Sequence, residues 1–194
     1  MMSVHFGDTL LHRASERVGM RQSYQEGSWF AIPLLDGGYG WGLVARLSPG
    51  SKIMLAYLFG PKLTRLPSQE ELNTLQPQDA VKVLRVGDMA LASGHWRVLG
   101  EVADWNPALW PMPQFLRRAD SLKRAWRVTY SDADPSRSER EESVPYDTQG
   151  LEADSLYGYG STELLLTRLL EPADHPINRG SSGSASGGSS VSRS

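Results

Sequence analysis

Residues 27–47 read GSWFAIPLLDGGYGWGLVARL, two apolar runs on either side of an Asp-Gly-Gly sequence at positions 36–38. Asp followed by Gly between such runs is a strong signal for a β-hairpin, because the tight turns that match strand twist need positive φ. Both runs are rich in aromatic and β-branched residues, which fill a pleated surface. Gly40 and Gly42 within the second run predict a bend or a close backbone approach. This hairpin favours a small, curled antiparallel sheet.

Segments further along the chain predict more strands and two helices. Ser68 and Glu71 have the spacing of a capping box, so we expect a helix from Ser68 to about Leu75. A closing helix is expected over residues 161–170, with Ser161 as its N-cap and a leucine-rich side. The expected fold is mainly β (α+β), a small curled antiparallel sheet or barrel with one or two short helices. Further strands are expected at residues 52–59, 81–86, 95–102, 115–118 and 124–130.

Aromatic residues mark the expected core. Residues 105–115 hold two Trp, three Pro and one Phe, a composition that excludes a regular helix. We expect an extended segment whose aromatic rings close an open end of the sheet. Four tryptophans are expected to be largely buried: Trp29, Trp41, Trp96 and Trp110.

Composition divides the chain into three parts. Residues 1–26 form an N-terminal extension, for which a short amphipathic helix and a loosely attached segment are both open. Residues 27–171 form the β-rich domain. Residues 172–194 are a Ser/Gly tail that we expect to be disordered. Both ends are expected to be dispensable for folding, because the tail has too few apolar groups to offset its ordering entropy.

The overall charge and the residue types exclude several classes of protein. The formal net charge is −2, which argues against a general nucleic-acid binder, usually a basic protein. The chain has no cysteine, which fits a reducing compartment. No signal peptide is visible, and no apolar run approaches the ~20 residues of a membrane helix. These features predict a cytoplasmic protein that does not enter the membrane.

The sequence offers no catalytic constellation. None of the four histidines, His5, His12, His95 and His175, pairs with another at a metal-ligand spacing. No nucleophile elbow or phosphate-binding loop is present. We therefore expect no catalytic, cofactor or metal site, and no enzyme.

Charge is segregated in the second half of the chain. Residues 117–127 contain five basic residues and one acid, whereas residues 132–154 contain eight acids and two bases. We expect a long polar loop over residues 132–150. An acidic loop can steer a basic partner, but the two blocks could also solubilise the domain and pair with each other; both interpretations stay open. The candidate partner-binding residues are Asp132, Asp134, Glu139, Glu141, Glu142, Tyr146, Asp147, Glu152 and Asp154. Tyr157 and Tyr159 are further candidate anchors, with core packing as the alternative.

The ordered set of motifs resembles the immunity protein 26 family, bacterial immunity proteins linked to polymorphic toxins. The motifs are GSWFAIPL at 27–34, the Asp-Gly turn, YGWG at 39–42, Gly-Asp at 87–88, GHWRVLG at 94–100 and WPMPQF at 110–115. The resemblance implies a non-enzymatic inhibitor whose partner is a cognate toxin domain, and it supplies no contact residues. The alternative is a small-barrel module that binds a peptide or single-stranded nucleic acid through exposed aromatic rings and the basic block.

Overall fold

The computed structural model describes residues 23–171, which form ten strands and three α-helices. The strands are β1 (Ser28–Pro33), β2 (Tyr39–Leu47), β3 (Ile53–Leu63), β4 (Lys82–Gly87), β5 (Arg97–Glu101), β6 (Gln114–Ala119), β7 (Arg124–Ser131), β8 (Asp134–Val144), β9 (Glu152–Ala153) and β10 (Leu156–Tyr157). The helices are α1 (Gln69–Leu72), α2 (Met89–Ala92) and α3 (Tyr159–Leu170). Short 3₁₀ turns lie at Pro77–Asp79, Pro107–Leu109 and Asp120–Leu122.

The strands form two sheets. Sheet A has the order β10-β4-β3-β2-β1-β5, and sheet B has the order β8-β7-β6-β9. Most neighbours are antiparallel, but β10 runs parallel to β4 and β9 runs parallel to β6. The mainly β (α+β) class is therefore confirmed. Within residues 23–171 neither sheet closes on itself, so the barrel alternative is wrong, and there are three short helices instead of one or two.

The predicted hairpin is the centre of sheet A. β1 pairs with β2 from Trp29↔Leu43 to Pro33↔Tyr39, and the turn places Gly37 and Gly38 at φ values of 87° and 75°. A Cβ on Gly42 would collide with the Phe30 ring. The close approach expected at Gly42 is thus confirmed, because the Phe30 ring fills the space beside this glycine and leaves no room for a side chain.

Sheet A is the middle of three layers. Helix α3 contacts β2, β3 and β4, while β8 of sheet B also contacts β2 and β3. One core cluster lies on the α3 side, where Phe30 and Trp96 stack with their ring centroids 5.4 Å apart. A second cluster holds residues of both sheets, including Trp29 and Phe115. Burial of the four predicted tryptophans, Trp29, Trp41, Trp96 and Trp110, is confirmed.

The aromatic segment 105–115 packs on the second core cluster through Trp105, Trp110 and Phe115, but Pro107–Leu109 form a 3₁₀ turn instead of the extended backbone predicted. Asn106 caps its 3₁₀ turn by accepting a hydrogen bond from the Ala108 amide. Trp110 then meets Trp29 and Tyr57 edge to face, with ring centroids 6.1 Å and 5.2 Å away. Tyr57 also donates a hydrogen bond to the Pro111 carbonyl at 2.6 Å. The segment is therefore fixed by aromatic packing and one buried hydroxyl.

Both predicted helices form, with two differences: α1 ends at Leu72 instead of about Leu75, and α3 has another N-cap. The capping box of Ser68 and Glu71 is present and starts α1. Helix α3 begins at Tyr159 with Gly158 as its N-cap, so the assignment of Ser161 as N-cap is wrong. Ser161 lies inside the first turn instead, where its hydroxyl donates to the Gly158 carbonyl.

The long polar loop predicted for residues 132–150 is wrong, because most of it is strand β8. β8 pairs along its length with β7, with irregular register near Tyr130. It carries Ser, Arg and Glu instead of alternating apolar residues, so it lacks the usual signature of a strand. Charged side chains are typical of an edge strand, where they discourage pairing with other chains.

The chain ends are only partly covered by these elements. Most of the predicted extension 1–26 and all of the tail 172–194 lie outside the described residues. The described part of the extension is attached to the body: the Tyr24 hydroxyl donates to Asp88 at 2.7 Å, and Glu26 accepts from the Leu47 amide at 2.9 Å. The folded body thus includes residues 24–26.

Gly42→Ala should destabilise the protein. The added methyl group must displace the Phe30 ring from a packed core, and such overpacking costs about 1–3 kcal/mol. Gly50→Ala is the matched control, because a Cβ there meets open space, and we expect its effect to stay within about 0.5 kcal/mol. Urea unfolding measures both. Equal stabilities of the two variants would contradict the close contact.

Alkaline pH should weaken the Tyr57 contact. Burial raises the pKa of Tyr57 to about 12, above the ordinary value of about 10 expected in the unfolded chain. Its contribution is therefore complete below pH 10 and is lost as pH rises through about 12. Tyr57→Phe lacks this ionisation, so the stability difference from wild type should shrink between pH 9 and pH 11.5. A constant difference would refute this role of the hydroxyl.

Candidate functional site

The carboxylate of Asp154 joins the two sheets. Its side chain is 3% exposed, although it follows the short strand β9 near the end of the acidic segment. It accepts from Arg85 of sheet A at 3.1 Å and from Arg117 of sheet B at 2.8 Å and 2.7 Å. The Tyr130 hydroxyl adds a fourth bond at 2.8 Å. A buried carboxylate with this many donors is fully compensated.

The two arginines of this network also hold β8. Arg85 donates from Nε to the Pro135 carbonyl at 2.7 Å, and its guanidinium lies 3.6 Å from the centre of the Tyr130 ring. Arg117 donates to Glu141 at 2.7 Å. Burial opposes the charge of Arg117, but the hydrogen bonds that it donates to Asp154 and Glu141 outweigh this effect, and its pKa is raised. Burial, followed by the bond to Asp154, raises the pKa of Tyr130.

Two more acids of the segment connect the sheets. Asp132 pairs at 2.7 Å with Arg46 of β2, whose side chain is 4% exposed. Arg46 also donates to the carbonyls of Ala45, Asp132 and Pro107. Glu152 of β9 takes both its bonds from Lys82 of β4, at 2.8 Å and 2.9 Å. These acids stabilise the packing of sheet B on sheet A.

The remaining candidate residues lie along β8 and the turn after it. Asp134 accepts from the amide and the hydroxyl of Ser136 at the start of the strand. Glu139 and Glu142 pair with arginines two residues before them on the same strand. The Tyr146 hydroxyl donates to Asp120 at 2.6 Å, and Asp147 is exposed in the turn. Glu139, Glu142 and Asp147 are thus on the surface and outside the Asp154 network.

His95 is the one histidine within residues 23–171, and it contacts helix α3. Its Nε2 lies 2.8 Å from Oε1 of the buried Glu163 on α3, which also accepts from the Trp96 indole at 2.8 Å. This contact fixes α3 on sheet A. Of the two tyrosines next to α3, Tyr157 packs against the core, whereas Tyr159 is 43% exposed.

Among the described residues are two open apolar cavities beside buried tryptophans. One, of about 230 Å³, is lined by Trp29, Trp110 and Leu75, and the other, of about 200 Å³, by Trp41 and Leu72. The indole N–H groups of Trp29 and Trp41 have no hydrogen-bond partner in the described part of the chain. Because these indoles are buried, they cannot serve as the exposed stacking platforms of the alternative function.

Residues 23–171 contain no cluster of acidic or His side chains that could hold a metal ion. Their helices are also too short or too polar to cross a membrane. The sequence profile described as immunity protein 26 matches residues 25–146. The chain belongs to the immunity protein 26 family. No curated protein and no solved structure gives a significant match.

The immunity protein 26 match runs from the residues before β1 to the turn after β8. It therefore includes the hairpin, the aromatic segment and most of both sheets. β9, β10 and α3 follow the matched region. Asp154 also lies beyond it, yet its carboxylate binds Arg85 and Arg117 inside it.

Sequence reasoning missed the arginines that organise the acidic segment. Arg46 and Arg85 lie within mostly apolar strands of sheet A, where a buried charge is a signal for an ion pair. Their partners are far away in sequence, so the signal does not identify them. The idea that basic and acidic blocks pair is confirmed for Arg117, which binds both Glu141 and Asp154.

Asp154→Asn should strongly destabilise the protein. The change leaves two arginines without their buried carboxylate, and breaking a buried pair costs about 3–5 kcal/mol. Glu139→Gln is the matched control, because it removes the same charge from an exposed pair and should cost less than about 0.5 kcal/mol. Urea unfolding at neutral pH compares them. A cost below about 1 kcal/mol for Asp154→Asn would show that the network is not needed.

Proposed function

We propose that this protein binds a cognate toxin domain and neutralises it by covering the active surface of the toxin. The observation that carries the proposal is the immunity protein 26 match, which includes both sheets of the folded body up to residue 146. Inhibition by coverage needs a stable, shaped surface and no catalytic group. The three-layer body of residues 23–171 offers such a surface.

The proposed contact surface includes β8 and the turn that follows. β8 is the outermost strand of sheet B, and residues 137–141 in its middle are all exposed. Glu139 and Asp147 are exposed and Glu142 is half-buried, and these three acids are the members of the acidic segment that we propose to meet the partner. Asp154 is buried and Glu152 is bound to Lys82, so both act by holding β8 and β9 in position.

The exposed acids are proposed to steer the toxin domain. Acidic groups on an outer strand attract a basic surface over roughly one Debye length, about 10 Å at 0.1 M salt. Steering of this kind raises the association rate more than it slows dissociation. Tight inhibition still depends on a few packed anchors, because such residues carry most of the energy of an interface.

Binding to a cognate toxin domain, to be sought in the genes next to the one for this chain, tests the function directly. Wild-type protein should form a stable complex with the purified domain and should abolish its activity in a stoichiometric titration. A toxin domain that stays active in the presence of excess protein, with no complex in size-exclusion chromatography, would refute the proposed function.

The double variant Glu139→Gln/Glu142→Gln tests the steering surface. We expect its association rate to fall roughly 3–10-fold at low salt and to approach the wild-type rate at high salt, with little change in dissociation. Surface plasmon resonance at several salt concentrations measures both rates.

The charge-matched control is Glu70→Gln/Glu171→Gln, which removes two exposed acids from outside sheet B. Its association rate should stay close to that of wild type. If both double variants slow association equally, only net charge matters, and β8 is not part of the contact surface.

A further inference from the structure

Arg127 lies in the middle of sheet B, on the face turned away from sheet A. Its neighbours in the β6–β7–β8 register are Leu116 and Glu142, and opposed residues of neighbouring strands lie on the same face. The flanking residue Val128 points the other way, into the core cluster shared with sheet A. This outer face of sheet B is defined by Gln114, Leu116, Arg118, Ala125, Arg127, Thr129, Arg140, Glu142 and Val144.

The guanidinium of Arg127 differs from those around it because it makes no hydrogen bond or ion pair with the described residues. Its Nε is buried and has no hydrogen-bond partner within residues 23–171. Arg118, on the same face, donates to the carbonyls of Tyr146 and Thr148. Glu142, the residue opposite Arg127 on β8, is bound to Arg140 at 2.6 Å and not to Arg127. A partly buried hydrogen-bond donor without an acceptor costs free energy. A binding protein that supplies the acceptor removes this cost when the complex forms.

The charge of this face indicates what it binds. The nine residues of the outer face include three arginines and one glutamate, so the face has a net charge of +2. Glu141 points to the opposite face, where it binds Arg117. A carboxylate fits a guanidinium as a planar, bidentate partner, and arginine is among the residues enriched at interface hot spots.

We propose that Arg127 is an anchor for the toxin domain and binds a carboxylate side chain that the domain places on the outer face of sheet B. This rests on the proposed function, which supplies the partner. The exposed acids of β8 act at long range, whereas Arg127 acts at contact. The two roles predict effects on different rate constants.

The test compares Arg127→Gln with Arg124→Gln in binding to the purified toxin domain. Both variants remove one positive charge from β7, but Arg124 is exposed at the start of the strand. We expect Arg127→Gln to weaken binding at least about tenfold, mainly through faster dissociation. Arg124→Gln should change affinity less than about threefold. Arg127→Lys should also lose affinity, since an ammonium group cannot make the bidentate contact.

Thermal unfolding of the free protein separates binding from folding. Because Arg127 has no partner in the described chain, Arg127→Gln should melt at the same temperature as wild type or higher. A lower melting temperature, or equal loss of affinity in both variants, would overturn the proposal.

A double-mutant cycle gives a second measurement that a purely structural role cannot mimic. Each exposed carboxylate of the toxin domain is changed to its amide, and one of them should weaken wild-type binding but not binding by Arg127→Gln. The absence of any such coupling would also overturn the proposal. If wild-type protein itself fails to bind, the proposed function fails instead.

Discussion

The position of sheet B on sheet A depends on the buried carboxylate of Asp154. Arg85 comes from sheet A and Arg117 from sheet B, so one acid fixes two strands that are far apart in sequence. Desolvating such charges is expensive, and the cost is recovered only where geometry and further hydrogen bonds are good. Tyr130 and the Pro135 carbonyl supply those further bonds. The network therefore favours one relative position of the sheets over others that an apolar contact would tolerate.

The same network explains how a strand without apolar alternation is held in place. β8 has one neighbour, β7, and an outer strand of this polarity gains little from burial. Arg85 holds its start through the Pro135 carbonyl, and Arg117 holds its middle through Glu141. The surface proposed to meet the toxin is thus rigidly attached to the core, which reduces the ordering cost of binding.

Local signals in the sequence predicted β1 to β5 of sheet A and β6 and β7 of sheet B, but not β8, β9 or β10. The Asp-Gly turn, the capping box at Ser68 and the buried tryptophans each depend on neighbouring residues or on large apolar area, so the sequence alone predicts them. The strand character of β8 depends on pairing with β7 and on distant arginines, and neither leaves a local pattern. The N-cap of α3 was misplaced because Ser161 resembles a cap, while the extended backbone at Gly158 caps the helix three residues earlier than predicted.

The acidic segment shows why composition alone could not separate structural from exposed acids. Alternation along β8 turns Glu141 toward Arg117 and Glu142 toward the outer face, so neighbouring glutamates have different roles. Of the eight acids in residues 132–154, some join the two sheets and others remain on the surface. The same alternation on β7 directs Val128 into the core and Arg127 outward. Arg127, whose Nε has no hydrogen-bond partner within residues 23–171, is the last member of the basic block of residues 117–127.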